Sequence, residues 1–595
     1  MGLLQKAVET YDSNAALVGV YRAEGAPLAP IGHTLTNANI EVTLDKTGAF
    51  LTARKVGKSE PKILIPVTEE SGGRSSTGAY KHPHPLCDQM KYIVADENYY
   101  IPQLEAWSRS PFSHPFLAPI LRCVKTKALV SDIERCIGNT KADDMICWRI
   151  NGFDGEEPAC WKNSNLFQSY ADYYSSQVSA RKTVLCMVSG EYTQPAVQHP
   201  KGIIPINGNA KLISSNDSSG FTFRGRFSED WQAATVGYVA SQKAHNALRW
   251  LASEQGVREI SGNRVFLCWN PQGIPLPQPV RRVRTADSEP KRQPSDYRQE
   301  LRSTLMSYRK EWQLKGTETA VLAAFDAATT GRLALTWYNE ISLELFLERM
   351  ESWDAHCCWY NGPHGIQAPN LPRIVECAFG VQRGSFLEAD DKIRRQHLQR
   401  LLDCKVGGGV FPTDILRALT QRASMPQAYE EKNWRRIVFA ACSALQKYRY
   451  DTNQGGNEMA WELDRRDRSF QFGRLLAVME RGEADYYGKT NETRQTNAIK
   501  FMSEYRQRPW FVFERVNRQL HQAYLNRIDP WQANRYERLV GEIVSILGEF
   551  PEEALNKPLE DTYLMGYVLQ RNAFFTKKET DDNKDDAKDD NKTEE

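Results

Sequence analysis

The chain has 595 residues, 41% of them apolar and 25% charged. That is the make-up of a globular protein with room for several cores, and it excludes a fibrous or wholly unstructured chain. Formal net charge is +2, but residues 577–595 carry five Lys against nine Asp and Glu, leaving about +6 on the rest. That mild excess permits a nucleic-acid partner without requiring one.

Residues 1–12 read as the start of an amphipathic helix. Lys6 and Glu9 interrupt any apolar stretch there, so no signal peptide is expected. No run approaches the roughly 20 apolar residues of a spanning helix. Of the twelve Cys, only Cys357 and Cys358 are adjacent, and no CxxC pair occurs. Reduced thiols and a cytoplasmic setting follow as expectations.

Residues 40–44 and 50–56 alternate as strands around Lys46-Thr47-Gly48, a hairpin signal. A short apolar run follows at 62–67. Residues 69–78, with three Gly and several hydroxyl side chains around Arg74, read as a mobile loop. Residues 165–180 have helical period, with Phe167, Tyr170, Tyr173 and Tyr174 on one side. A strand is expected at 183–188, a long Gly- and Ser-rich loop at 201–227, a helix at 228–253 and a strand at 264–269.

Residues 271–295 hold six Pro with Arg281, Arg282, Arg284, Lys291 and Arg292, and read as a solvated linker or a phosphate-tracking arm. From 296 the chain turns helical, with one strand inserted at 332–338. Helical period recurs at 390–402, 413–422, 430–450, 458–481, 510–525, 531–547 and 559–570. The fold class expected is α+β: mixed N-terminal and central domains (1–130 and 131–275), a linker (276–295), a helical region (296–457), a C-terminal helical bundle (458–576) and a disordered charged tail (577–595).

Catalytic signatures are missing. Gly488-Lys489-Thr490 imitates the end of a phosphate-binding loop, but Glu483 stands where the motif's first Gly must be, and no apolar strand precedes it. It reads as a polar interhelical loop. HExxH and GxSxG do not occur. His82, His84 and Cys87 form the best metal-like cluster and define the alternative reading, a metal-dependent hydrolase or nuclease. A kinked loop entering a strand is the plainer account of the same residues. Cys357 and Cys358, between Trp353 and Trp359, read as packing.

Two basic Gly/Ser loops stand out. The first offers Arg74, Ser75, Ser76 and Lys81; the second offers Lys201, Lys211, Asn216, Arg224 and Arg226. Glycine lets a backbone approach a groove closely, and Ser, Asn, Arg and Lys bond phosphates or base edges.

Longer stretches, in order, resemble the large subunit of the type I-C CRISPR surveillance complex, Cascade. HPHPLCDQMKYIVA (82–95) resembles its P-x-F-L-C-D-x-x-x-Y segment. The span 184–227, with VLCMVSG, HPKGIIPINGNAKLISSN and FTFRGRF, resembles its strand, Gly, His-Pro-Lys and Ser-Asn-Phe loop. ATTGRLALTWYNEISLELFLERM (328–350), FGRLLAVME (472–480) and LMGYVLQRNAFF (564–575) resemble three further blocks. Gln198 before His199, and Val-Leu-Gln in the last block, depart from the pattern.

The resemblance implies a non-catalytic subunit without cofactor or metal. It would recognise a short PAM on double-stranded target DNA, help open the duplex, hold the displaced strand and recruit a helicase–nuclease effector. The implied partners are the backbone and crRNA 5′-end-binding subunits, crRNA and a small subunit. In such families that small subunit is made from an internal start, for which Met459 is the candidate here. Arg74 is then expected at a base edge, Ser75 and Ser76 on bases or phosphates, and Lys81 on phosphate.

Overall fold

The computed structural model describes residues 2–575 except 24, 75–79, 96–98, 205–207, 215–226, 228–229, 255–256, 259–263, 284–289, 292, 312–315, 328, 330, 455–462 and 464. The chain is α+β and folds as two units. The first comprises Met1–Leu276 with Lys315–Leu343, and the second Pro277–Leu314 with Glu344–Glu595.

In the first unit, strand Ile40–Asp45 lies between two others. It runs antiparallel to Phe50–Lys55 and parallel to Ile146–Asn151. The expected hairpin forms because Asp45 closes it: its carboxylate accepts the Thr47 N–H at 2.8 Å and the Ala49 N–H at 2.9 Å. Gly48 has φ +89°, and a Cβ there would sit 2.6 Å from the Pro119 carbonyl oxygen. The central strand is buried along nearly its whole length, Glu41 included. Arg149 bonds Glu41 at 2.6 Å, and Arg54 holds its other oxygen, so the buried charge is paired. Helix Ser164–Val178 covers this core. Phe167, Tyr170, Tyr173 and Tyr174 are all buried, as the helical period predicts, and Trp107 meets Tyr170 edge-on at 5.1 Å.

A second sheet of the same unit runs Ala334–Ser342, Thr319–Asp326, Arg264–Trp269, Val257–Arg258, all antiparallel. The sequence predicts one strand after residue 296; this sheet has two there, and the second unit adds four short ones among the described residues. Thr319–Asp326 is almost wholly apolar and buried on both faces, so it shows no alternation to read. Helices Leu3–Ser13 and Tyr238–Glu254 pack on this sheet through Ala7, Tyr11, Ala244 and Leu248 against Leu267 and Val321. The helix expected at 228–253 starts only at Tyr238. Gly237 at its entry packs against Cys186 and Thr193 of a small hairpin, Val184–Leu185 with Tyr192–Thr193. That hairpin is all that forms of the strand expected at 183–188.

The second unit is mainly helical. Its longer helices include Leu371–Phe379, Asp391–Gly407, Thr413–Ala423, Glu431–Asp451, Arg468–Thr490, Pro530–Leu547 and Thr562–Ala573. Arg468–Thr490 and Thr562–Ala573 cross at two glycines. A Cβ on Gly473 would fall 1.9 Å from the Tyr563 carbonyl oxygen, and one on Gly566 2.0 Å from that of Phe470. Gly488-Lys489-Thr490 is the last turn of a helix rather than a loop, capped by Asn491 at φ 55°. Cys357, Cys358, Trp353 and Trp359 are buried together, in keeping with packing.

The Pro/Arg segment after 276 is strapped down rather than solvated. Val280 and Val283 are buried. Asp354 accepts the Val283 N–H at 2.6 Å and the Lys405 ammonium at 2.9 Å, while Lys405 also donates to the Arg281 carbonyl. Asn370 accepts the Arg282 N–H at 2.8 Å. Residues 284–289, Arg284 among them, lie outside the described part. Alternation and proline count cannot show such a strap, because its anchors come from residues 70 to 125 positions away.

Candidate nucleic-acid interface

Residues 69–73 form a short helix, Glu69–Gly73, where the sequence predicts loop throughout. Thr68 caps it, accepting the Ser71 N–H at 3.0 Å. The hydroxyl of Tyr174, a core aromatic, receives the Glu69 N–H at 3.1 Å. The buried Glu69 carboxylate pairs with Arg181 at 2.5 Å and accepts the N–H groups of Val197 and Gln198 at 2.9 and 3.3 Å. Burial raises its pKa, against the pull of Arg181. Glu69 thus ties the first Gly-rich segment to the one that begins the second.

A further tie follows. Lys201 donates to the Arg74 carbonyl at 2.6 Å and to Asn209 Oδ1 at 3.0 Å. The two loops, well over 100 residues apart in sequence, therefore meet along one cleft of about 700 Å³. Its lining includes Gly72, Arg74, His84, Gln198, His199, Lys201, Gly202 and Arg249.

Arg74 is engaged within the protein. Its guanidinium bonds both oxygens of Asp88, donates to the His82 carbonyl at 2.8 Å, and lies 3.7 Å from the centre of the Tyr92 ring. Asp88 is fully buried and also accepts the His84 N–H at 2.7 Å. Only 13% of the Arg74 side chain is exposed. The residue pins the end of the short helix, and its forked donors are already taken.

The other cations differ. Lys211 is half-buried beside Gly73, and its ammonium has no hydrogen-bond or ion-pair partner among the described residues. Burial lowers its pKa. Lys201 is also lowered, by burial first and then by Lys211 and Arg74. Arg249 donates only to neutral acceptors: the carbonyls of Lys201 at 2.9 Å and Gly202 at 3.3 Å, and Asn246 Oδ1 at 3.1 Å. Burial lowers it to about 10. Lys201 and Arg249 line the cleft and Lys211 lies beside it, with no carboxylate bonded to any of the three among the described residues, an arrangement that an incoming anion stabilises.

Histidines complete the wall. His84 Nδ1 lies 2.9 Å from Ser71 Oγ, and His199 Nδ1 lies 2.8 Å from Ser241 Oγ. Burial lowers each to about 4, so both are neutral at pH 7.

Of the residues singled out in the sequence, the structure brings Arg74, Lys201 and Lys211 together. Lys81 is exposed and outside the cleft lining. Ser75, Ser76, Asn216, Arg224, Arg226 and Met459 lie outside the described residues. His82, His84 and Cys87 do not form a ligand set: among the described residues no three His, Cys, Asp or Glu side chains gather as a metal would need. Cys87 is fully buried and its thiol is pushed up to about 12 by that burial. Sequence reasoning misses Glu69 and Arg249. Each sits in ordinary polar or helical context, and only the fold shows that one bridges the loops and the other lacks a counter-ion.

In the second unit, several arginines are engaged within the protein. Arg468 donates to the carbonyls of Ala554, Lys557 and Pro558, Arg474 is buried on Gln570, and Arg506 pairs with Asp561. Arg508, Arg515 and Arg518 are exposed.

Among the described residues no helix is long and apolar enough to cross a membrane. The comparisons place the molecule in a class: it is a CRISPR-associated protein, of CRISPR-based defence. The family model described as CRISPR-associated protein (Cas_Csd1) matches residues 8–575, and the chain belongs to that family, that of the type I-C large subunit. No curated protein matches the chain.

Proposed function

We propose that this chain is the non-catalytic, DNA-binding large subunit of a crRNA-guided complex in the prokaryotic cytoplasm, and that the cationic cleft engages the PAM-bearing duplex. One observation carries the reading. Two loops singled out for their chemistry converge on a single cleft in which Lys201 and Arg249 have no carboxylate of their own. Such a site fits a polyanion: phosphates supply the missing charge, while the Gly-rich backbone allows close approach. Base pairing to crRNA reads the long sequence and leaves the protein a few flanking pairs.

In this reading Arg74 shapes the loop, Lys201, Lys211 and Arg249 meet phosphate or base edges, and Ser75, Ser76, Lys81, Asn216, Arg224 and Arg226 extend the contact. The C-terminal bundle (458–576) holds the displaced strand beside the exposed Arg508, Arg515 and Arg518, is also made separately from Met459, and the assembled complex recruits the helicase–nuclease. Neighbouring partners are the backbone, crRNA-end-binding and small subunits.

The test is binding by complexes assembled with and without this chain. Target duplexes share the guide-matched segment and differ only in the flanking pairs. Affinity should depend on those pairs only when the chain is present; equal affinity for all flanks with the chain in place would contradict the reading. The purified chain should cleave neither DNA nor nucleotides, and a metal-dependent cleavage lost in His82→Ala would favour the hydrolase instead.

A further inference from the structure

Beside the cations, the cleft holds a polar side chain, Gln198, whose amide has nothing to bond among the described residues. Gln198 lines it and is half-buried, and its backbone is fixed, because its N–H is held by the buried Glu69 carboxylate. Glu69 is in turn anchored by Arg181 and by the Tyr174 hydroxyl. The side-chain amide has no hydrogen-bond partner among the described residues. Several polar groups around it are engaged: His199 on Ser241, His84 on Ser71, Arg74 on Asp88, Lys201 on the Arg74 carbonyl.

The amide lies over Gly73. A Cβ at residue 73 would stand 2.1 Å from Gln198 Oε1 and 3.5 Å from Lys211 Nζ. A Cβ at residue 73 would therefore displace the amide while leaving the ammonium in ordinary contact. Three segments converge here: the end of a capped helix, the strap held by Glu69, and the Lys211 backbone that pairs with Lys201 and Arg332. A carboxamide on a fixed backbone carries a donor and an acceptor side by side, and that fork matches the N6 and N7 edge of adenine. An ammonium a short distance away suits the adjoining phosphate.

We infer that Gln198 is the side chain that reads a base, an adenine in the flanking duplex, with Lys211 on the neighbouring phosphate and Gly73 leaving the amide room. The inference rests on the duplex-binding reading above. Glu69 is a positioning residue for Gln198. Arg74 holds the loop from below.

The experiment uses the assembled complex and a pool of target duplexes randomised at the flanking pairs, with bound fractions sequenced. In the wild type one position should prefer adenine on one strand. Gln198→Ala should lose that preference by roughly tenfold to a hundredfold at that position only, leaving other positions as they are. Gln198→Glu keeps the shape but only accepts, so its preference should move towards cytosine, whose N4 amino group donates. Gly73→Ala, which displaces the amide, should copy Gln198→Ala. Lys211→Met should weaken all sequences alike and reduce the salt slope by about one. An unchanged profile in both Gln198 variants would overturn the inference and leave the duplex-binding reading intact. A wild-type profile flat at every flanking pair would overturn both.

Discussion

Lysines in the two units of this molecule have opposite surroundings. In the second unit, Lys405 is 1% exposed and pairs at 2.9 Å with Asp354, itself 1% exposed and further bonded to the Val283 N–H. In the first unit, Lys201 and Lys211 are partly buried with no carboxylate on either, and Arg249 is bonded only to neutral oxygens. The first arrangement is complete and holds a proline-rich strap in place. The second is incomplete, since desolvated charge without a counter-ion costs stability that only a ligand restores. A cation's role is thus told by its partner rather than by its residue type. The same holds for Arg74, cationic and in the cleft, yet structural because Asp88 saturates it.

The largest expected effect follows from breaking the complete pair. Asp354→Ala leaves Lys405 buried and alone and frees the Val283 N–H, at a cost of about 3–5 kcal/mol. Chemical denaturation should show the second unit losing most of its stability, with hydrogen exchange fastest around 277–283. Lys405→Met with Asp354→Leu should recover much of it, because an apolar pair needs no counter-charge.

Acid should separate the units next. His33, His84 and His199 are lowered to about 4 and His245 to about 3, all by burial first; nearby Lys211 adds to the effect on His199 and His245, and Arg74 and Lys201 to that on His84. A folded-state pKa below the unfolded value means the unfolded chain binds protons more tightly. Their contribution is therefore complete above about pH 6.5 and is lost as pH falls towards 4. Hydrogen exchange at pH 7 and pH 5 should show the first unit loosening more than the second. Equal loosening would mean that these imidazoles are not neutral in the folded protein.

The smallest effect on folding is expected at the incomplete site. Lys211→Met removes a desolvated charge and breaks no bond, so the melting temperature of the free chain should stay the same or rise. A clear fall would reveal a counter-ion within the protein and remove the contrast.

Much of the local structure is legible in the sequence. The Asp45–Gly48 turn, the aromatic face of 164–178 and the helices after 390 follow from turn chemistry and a period of 3.6. Thr319–Asp326 is hidden because a strand buried on both faces has no period of two. The strap at 277–283 is hidden because its anchors, Asp354, Asn370 and Lys405, lie far along the chain. For the candidate site, composition marks both loops but not their meeting, which Glu69 and Lys201 bring about across more than 120 residues. Nor does it tell a saturated Arg74 from an unpaired Lys211, since that difference is made by Asp88.

The salt dependence of target-duplex binding by the assembled complex, with and without Lys201→Met and Lys211→Met together, tests the central claim most directly. If the unpaired cations of the cleft meet phosphate, the slope of log affinity against log salt should fall by about two, with weaker binding to every sequence. An unchanged slope and affinity, in a complex that still assembles, would show that DNA does not occupy this cleft.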